Sequence, residues 1–477
     1  GVIARTGSVR SNLVATGWSW VILWAMLVAL ALVTRPLLPI DETRYLSVAW
    51  EMWNRGDWLV PYLNGSPYSD KPPLLFWGML LGWRVFGVNQ WWPRLLPPLF
   101  GLISVVLLAR LARRLSADVP DAGDRPLPFL SGAIWVTYST LVLFDTLLTA
   151  CVLLALTGLV DAWRGRASRG WGAYAAGVGL GLLTKGPVLL VHVLPAALLA
   201  PWWSQGSVHP TERLARWRRW YLALLLAVAL GAALALAWAL AAGARGGPAY
   251  RSAILWDQTA GRVSHSFAHR RPWWWYFQLF PLLLFPWTLW PAWWRSLAGR
   301  FRRPQELSAR FALAWVVPGW IILSLISGKQ VHYLIPLLPG FALLAVGAGR
   351  QAVGLSLVTP ALLILAHIGG RNTLTRYDLR PTARALSQAE SSGRPMAYVG
   401  HYSGEFHFLG RLRHPIDPIT QPQLSSWTAQ HPSGVVIRQA PSPSDTAGAI
   451  FHQRYRDQRS RDGVLGIWEA RVLAKGP

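Results

Sequence analysis

The stretch IDETRYLSVAWEMWNRGDWLVPYLNGSPYSDKPPLLFW, Ile40 to Trp77, decides how the rest of the chain is read. It follows an apolar run that ends near Leu38 and leads into another that starts near Leu74. Between them lie Asp41, Glu42, Arg44, Glu51, Asp57, Asp70 and Lys71. The whole chain of 477 residues has only 21 acidic side chains. Ionisable groups at membrane depth are costly and lean functional, so this gathering is a candidate site at a membrane surface. Within it Tyr45, Val48, Ala49, Met52 and Trp53 recur at helical spacing. Asn54-Arg55-Gly56 supplies a helix stop, Asn64-Gly65 a turn signal, and Pro72-Pro73 a helix start. Two short interfacial helices are expected here.

Outside this stretch the chain is 53% hydrophobic and 14% charged, against about 25% charged in an ordinary soluble protein. Several apolar runs of about 18 or more residues make it a polytopic membrane protein. Many of the 30 Trp come in clusters, as at Trp91-Trp92, Trp202-Trp203 and Trp293-Trp294, and most serve as interfacial anchors. The net charge of +25 would suggest nucleic acid. However, the arginines fall in short loops between apolar runs, which is the positive-inside pattern, so no nucleic-acid partner is expected. The single Cys151 lies in an apolar run and reads as inert core. The first run, roughly 18–38, is too long for a signal peptide and reads as a membrane helix with Arg5 and Arg10 on its cytoplasmic flank.

Alternation from there predicts about eleven transmembrane helices, N-terminus inside. The expected spans are 91–109, 127–142, 147–163, two helices flanking the turn Thr184–Pro187, then 220–242, 276–294, 311–326, 333–348 and 352–369. Each loop assigned to the cytoplasm is Arg-rich, as in Arg110, Arg113, Arg114 and Arg125, or Arg164, Arg166 and Arg169. From Arg371 to Pro477 the chain has no long apolar run. Strand-like pieces at Met396–Val399, Gly434–Ile437 and Gly463–Glu469 alternate with turn-rich segments. This predicts a polytopic α-helical domain over 1–370 that carries the external loop 40–77, followed by a small external α/β or α+β domain over 371–477.

On this topology Asp41, Asp145, Lys185, the 262–271 cluster and Lys329 share one face of the membrane. A carboxylate at Asp41 suits a general base acting on an acceptor hydroxyl. Cations beside a leaving phosphate stabilise charge that develops in the transition state, and Lys71, Lys185, Arg262, Arg270, Arg271 and Lys329 are available for that. Ordinary roles compete with each of these. Asp41 and Asp145 suit helix N-termini, Lys185 and Lys329 suit snorkelling, and Arg270-Arg271 suits anionic headgroups. His269 suits the surface as well as a ligand role.

The motifs also carry a resemblance. Asp41-Glu42-Thr43-Arg44-Tyr45, Glu51-Met52, Gly56-Asp57-Trp58, Pro61, Asn64-Gly65, Tyr68, Asp70-Lys71-Pro72-Pro73-Leu74 and Phe76-Trp77 follow one another in order. Downstream come Phe144-Asp145, Leu183-Thr184-Lys185-Gly186-Pro187, His269-Arg270-Arg271-Pro272-Trp273-Trp274-Trp275-Tyr276, and Ser327-Gly328-Lys329 with Tyr333-Leu334-Ile335-Pro336. Over about residues 18–345 this resembles the ArnT-type aminoarabinose transferases. These are GT-C glycosyltransferases of lipid-linked sugars, distantly related to protein O-mannosyltransferases. One departure is Asp70, where the family usually has Glu.

The resemblance implies an inverting glycosyltransferase of the bacterial inner membrane with its site facing the periplasm. The donor is an undecaprenyl-phosphate sugar and the acceptor lipid A or another envelope glycan. Asp41, Glu42 and Asp145 are the expected catalytic residues. Lys71, Lys185, Arg270, Arg271 and Lys329 are expected at the donor phosphate, and Arg44, Tyr45, Tyr68, Trp274 and Tyr333 at substrate. No cofactor is required. A divalent metal on Asp70 and His269 is the one such group the residues allow, without a local signature such as HExxH. A monomer is expected. The rivals are a protein O-mannosyltransferase-like enzyme and a flippase of lipid-linked sugars. A flippase would place its ionisable groups at the midplane of broken helices.

Overall fold

A computed structural model describes residues 17–117, 122–205, 210–256, 271–345, 350–440, 442–456 and 462–474. The chain forms two compact units. One comprises Gly1–Leu30, Asp70–Leu75 and Arg94–Ala366, and the other Ala31–Ser69, Phe76–Pro93 and His367–Pro477.

The first unit is helical. Among the described residues, five helices are long and apolar enough to cross a membrane: Trp91–Leu115 (α4), Asp145–Trp163 (α7), Glu212–Gly246, Leu307–Leu325 and Gln351–Gly369. Shorter apolar helices include Ser19–Thr34 (α1) and Val188–Leu198 (α9), while Leu74–Phe86 (α3) falls mainly in the second unit. Several spans expected as single helices are broken, each for a local reason. The 127–142 span divides into Leu127–Leu130 (α5) and Ala133–Tyr138 (α6), and the Ala133 amide between them donates to the Phe285 carbonyl at 2.8 Å. The 276–294 span breaks into Trp275–Leu283, Trp287–Leu289 and Pro291–Arg302, where Pro286 and Pro291 supply no N–H to a continuing helix. The 333–348 span begins as a 3₁₀ segment, Val331–Leu337, before Leu338–Leu344.

α7 and the helix Ala167–Lys185 (α8) run antiparallel with their backbones nearly touching. A Cβ on Gly158 would come within 2.5 Å of the Gly170 carbonyl, and one on Gly170 within 2.3 Å of the Ala162 nitrogen. Small residues allow this approach where van der Waals packing, not water exclusion, holds helices together. The packing places the first residue of α7, Asp145, beside the last residue of α8, Lys185.

In the second unit, Asp41–Arg55 (α2) buries Tyr45, Val48, Ala49 and Met52 on one face. Gly56 at φ +66° ends it, with the Gly56 N–H on the Trp53 carbonyl and the Asp57 N–H on the Met52 carbonyl, the paired bonds of a Schellman motif. The second short helix expected before Trp77 is not formed. Its place is taken by the hairpin Tyr62–Leu63 (β1) and Ser66–Pro67 (β2), turned by Asn64 and Gly65 at φ +51° and +82°. Positive φ at both central residues is what an Asn-Gly two-residue hairpin requires.

The three strand-like pieces of the C-terminal region fall on Met396–Val399 (β3), Val435–Ala440 (β5) and Asp462–Glu469 (β7). With Asp417–Ile419 (β4) and Ala449–Arg456 (β6) they form a mixed sheet in the order β4-β3-β5-β7-β6. Its core joins Ile437, Leu465 and Ile467 to Leu386, Phe406 and Leu412. α2 is tied to this domain across some 360 positions of sequence. The Trp50 indole donates to the Leu412 carbonyl at 2.7 Å, the Phe408 amide to Ser47 Oγ at 3.0 Å, and Trp83 stacks on Phe408 at 5.5 Å.

Candidate active site

In the helical unit the centre is a buried ion pair. Lys185 Nζ lies 2.5 Å from Asp145 Oδ1, with the side chains 7% and 3% exposed. Each charge also complements its own helix, a carboxylate at the N-terminus of α7 and an ammonium at the C-terminus of α8. The residue before Asp145 makes no side-chain cap, and Asp145 itself is the first helical residue. Its carboxylate is therefore engaged by Lys185 and does not cap the helix.

The Lys185 ammonium also sits over the Tyr333 ring, 4.6 Å from its centroid, a cation–π contact. His332 packs edge-on against Tyr333 and faces Tyr138. Lys329 is buried and donates to the carbonyls of Arg271 and Ile326 at 3.0 and 2.5 Å. It thereby fixes Arg271, whose amide returns a bond to the Ser327 carbonyl at 3.1 Å. The Arg271 guanidinium stands over Trp275, while Trp274 is exposed. Lys71 donates to the Asp70 backbone carbonyl at 3.4 Å. His269 and Arg270 lie outside the described residues.

Sequence reasoning passed over His192 in this unit. It is fully buried on α9, a helix that packs against both α7 and α8. Neither ring nitrogen has a hydrogen-bond partner among the described residues. An isolated histidine in an apolar run gives no signal until the helices are packed.

In the second unit Asp41 pairs with Arg44 at 2.5 Å, one helical turn on. Asp41 is the first residue of α2 and is partly exposed, as a general base must be to meet its substrate. Tyr45 and Tyr68 both pack against Phe76, and Arg44 lies beside Tyr45. Burial opposes the Arg44 charge, but Tyr68, Tyr45 and Asp41 hold its pKa above the usual value. Glu42 serves differently. It is buried, paired with Arg35 at 3.3 Å, and accepts the Leu38 amide at 2.8 Å. Both carboxylate oxygens of Glu42 are thus engaged at the start of α2, an arrangement the run Asp41-Glu42 did not reveal.

A second buried group in this unit fixes the loop. Glu51 accepts the Gly65 amide at 3.1 and 3.3 Å, and burial raises its pKa. The Asn64 side chain exchanges two bonds of 2.8 Å with the Ile416 backbone. His407 Nδ1 meets the Tyr402 hydroxyl at 2.7 Å, and that hydroxyl accepts the Phe406 amide. His407 Nε2 lies 4.0 Å from Glu51 Oε1. Burial pushes the His407 pKa down to about 4.

For a metal, among the described residues there is no group of three or more His, Cys, Asp or Glu side chains able to hold an ion. Asp70 is exposed, and its expected partner His269 lies outside the described residues.

These features match known proteins. The family model described as dolichyl-phosphate-mannose-protein mannosyltransferase matches residues 70–238. An undecaprenyl phosphate-alpha-4-amino-4-deoxy-L-arabinose arabinosyl transferase of Pseudomonas aeruginosa is 31% identical over 306 residues, covering 62% of this chain and 53% of that protein. A Pseudomonas fluorescens protein of the same description is 30% identical over 319 residues, covering 65% and 55%. The crystal structure of ArnT from Cupriavidus metallidurans bound to undecaprenyl phosphate superposes with a TM-score of 0.73 at 18% identity, covering 96% of this chain and 98% of that one. The chain is similar to ArnT proteins in sequence and in fold. The likeness in structure shows a shared fold. The chain spans about half the length of the curated relatives it matches. Within the ArnT-like fold the motif residues Asp145, Lys185 and Tyr333, far apart in sequence, form one cluster, and Asp41, Arg44 and Tyr45 form another.

Proposed function

We propose that the chain is a glycosyltransferase that moves a sugar from a polyprenyl-phosphate donor to an envelope acceptor such as lipid A, on the periplasmic face of the inner membrane. The observation that carries the reading is the buried Asp145–Lys185 pair beneath Tyr333, in a chain similar to transferases described as using undecaprenyl phosphate-aminoarabinose. Water-excluded cations are worth most where charge develops, and the donor's leaving phosphate is where it develops here.

Lys185 is assigned to that phosphate, with Lys71, Arg270, Arg271 and Lys329 as further cations. Asp145 orients Lys185 and the sugar, and Tyr333 and Trp274 contact substrate. Asp41 takes the acceptor proton in a single inverting displacement, with Arg44 holding its carboxylate, while Tyr45 and Tyr68 line the acceptor side. The Arg-rich ends of the helices support the cytoplasmic assignment of the opposite face.

The deciding experiment incubates the purified protein with a panel of polyprenyl-phosphate sugars and identifies which is consumed. Consumption of none, with lipid scrambling in liposomes instead, would replace the enzyme with a flippase. The family-model match over 70–238 favours one second reading, transfer to protein Ser or Thr. Mass spectrometry of lipid A and of secreted proteins from a knockout strain separates the two.

A further inference from the structure

At the end of α7 opposite Asp145 lies a cavity of about 920 Å³ lined by Arg110, Arg113, Arg114, Arg164, Arg166 and Trp163. Its position follows from the helix itself. α7 has 19 residues, which at 1.5 Å each is roughly 28 Å, close to the ~30 Å hydrocarbon core of a bilayer. With the Asp145–Lys185 pair at one membrane surface, the cavity therefore sits at the headgroup level of the other. Trp163 at its wall is the expected interfacial residue.

The cavity is built, and is more than a loop that happens to be basic. Asp161 is 4% exposed at its side chain and receives three arginines, Arg114 at 2.9 Å, Arg110 at 3.4 Å and Arg166 at 3.5 Å. Those arginines come from α4 and from the segment after α7, so one buried carboxylate draws two elements together. Arg164 Nε donates to the Arg114 carbonyl at 2.5 Å, and its guanidinium lies 5.3 Å over Trp163. Three guanidinium groups thus face a single carboxylate, and Arg113 and Arg164 complete the lining. Positive-inside sorting explains arginines in this loop. It does not explain their convergence on a cavity of ligand size, held open by an ion-pair network. Arginine forks match phosphate oxygens bidentately, and basic pockets between membrane helices at this level suit phospholipid headgroups.

We propose that this cavity is a binding site for the phosphate of an anionic phospholipid, on the membrane face opposite the transfer site. The site needs neither sugar donor nor acceptor, so it stands or falls independently of the proposed transferase activity. Occupation would bridge the C-terminal ends of α4 and α7 and neutralise repulsion among their arginines.

The test is native mass spectrometry of the full-length protein released from phosphatidylcholine nanodiscs containing cardiolipin. A parallel arm uses phosphatidylcholine alone with added pyrophosphate. The wild type is expected to retain cardiolipin, and Arg113→Gln/Arg166→Gln to retain at least tenfold less. Arg113→Lys/Arg166→Lys should restore part of the retention, and the charge-matched control Arg295→Gln/Arg302→Gln should behave as wild type. If pyrophosphate discriminates the variants and cardiolipin does not, the ligand is a soluble phosphate and the lipid assignment is overturned. Equal retention in every variant overturns the site altogether, and retention lost equally in the control reduces it to net charge. Melting curves for each variant separate loss of ligand from loss of fold.

Discussion

Removing Lys185 tests the Asp145–Lys185 pair most directly. The two side chains meet at 2.5 Å and are almost fully buried, so Lys185→Met leaves an uncompensated carboxylate among apolar helices. Breaking a buried pair from one side costs about 3–5 kcal/mol in soluble proteins. Polar couplings within membranes run lower, about 0.6 on average and up to ~1.7 kcal/mol, because the membrane-unfolded chain also finds partners. The backbone contact between α7 and α8 keeps both charges from reaching water by a small shift. A loss of about 2–4 kcal/mol is therefore expected for Lys185→Met, between these limits.

Asp145→Asn/Lys185→Met removes both charges and should return to within about 1 kcal/mol of wild type, since a neutral isostere of a buried pair is often near-neutral. Activity should separate from stability: neither the single nor the double variant transfers sugar, because the phosphate-facing cation is gone from both. The assay is titration with a denaturing detergent, read by tryptophan fluorescence, alongside donor turnover. A Lys185→Met protein as stable as wild type would refute the buried-pair argument. A turnover-competent double variant would refute the catalytic one.

Asp41→Asn and Lys71→Ala are each expected to abolish transfer without lowering expression, checked by turnover and by membrane yield. Gly65→Ala should cost about 1–2 kcal/mol, because the residue is at φ +82° and a Cβ would meet Pro415 at 2.8 Å; detergent unfolding measures it. The pH dependence of stability should carry the signature of His407. Its folded pKa, about 4, lies below the unfolded value, so the unfolded state binds more protons between about pH 4 and 6.5. That contribution is complete above about pH 6.5 and falls by up to ~3 kcal/mol as pH drops through this window. Glu51, whose pKa is raised, acts in the opposite sense and shallows the slope. His407→Leu should flatten the profile between about pH 4 and 6.5, and an unchanged slope would remove His407 as its source. Gly170→Leu should force α7 and α8 apart and abolish turnover, with reduced yield of folded protein.

Much of this was legible in the chain because its causes are local. Long apolar runs mark membrane helices through solvation alone, and the period of Tyr45, Val48, Ala49 and Met52 marks the buried face of α2. Gly56 ends that helix, and Asn64-Gly65 makes the hairpin, because each takes a positive φ that few other residues accept. The ordered motifs from Asp41 to Trp77 pointed to ArnT-like proteins before any geometry was known. The breaks near Gly132, Pro286 and Pro336 were harder to place, because apolar content continues straight through them while the hydrogen-bond ladder does not. Only the tertiary structure decided which charges meet. Asp145 and Lys185 are 40 residues apart and pair because glycines let α7 and α8 touch along their length. Glu42, next to Asp41 in sequence, turns inward to Arg35 and Leu38, whereas Asp41 pairs with Arg44. His192 gains interest only from the pair packed beside it. The five arginines are ordinary charges in sequence and line one cavity only in the folded chain, where Asp161 gathers three of them. Pairings of this kind depend on which helix faces oppose one another, a property of the packed whole that no local pattern encodes.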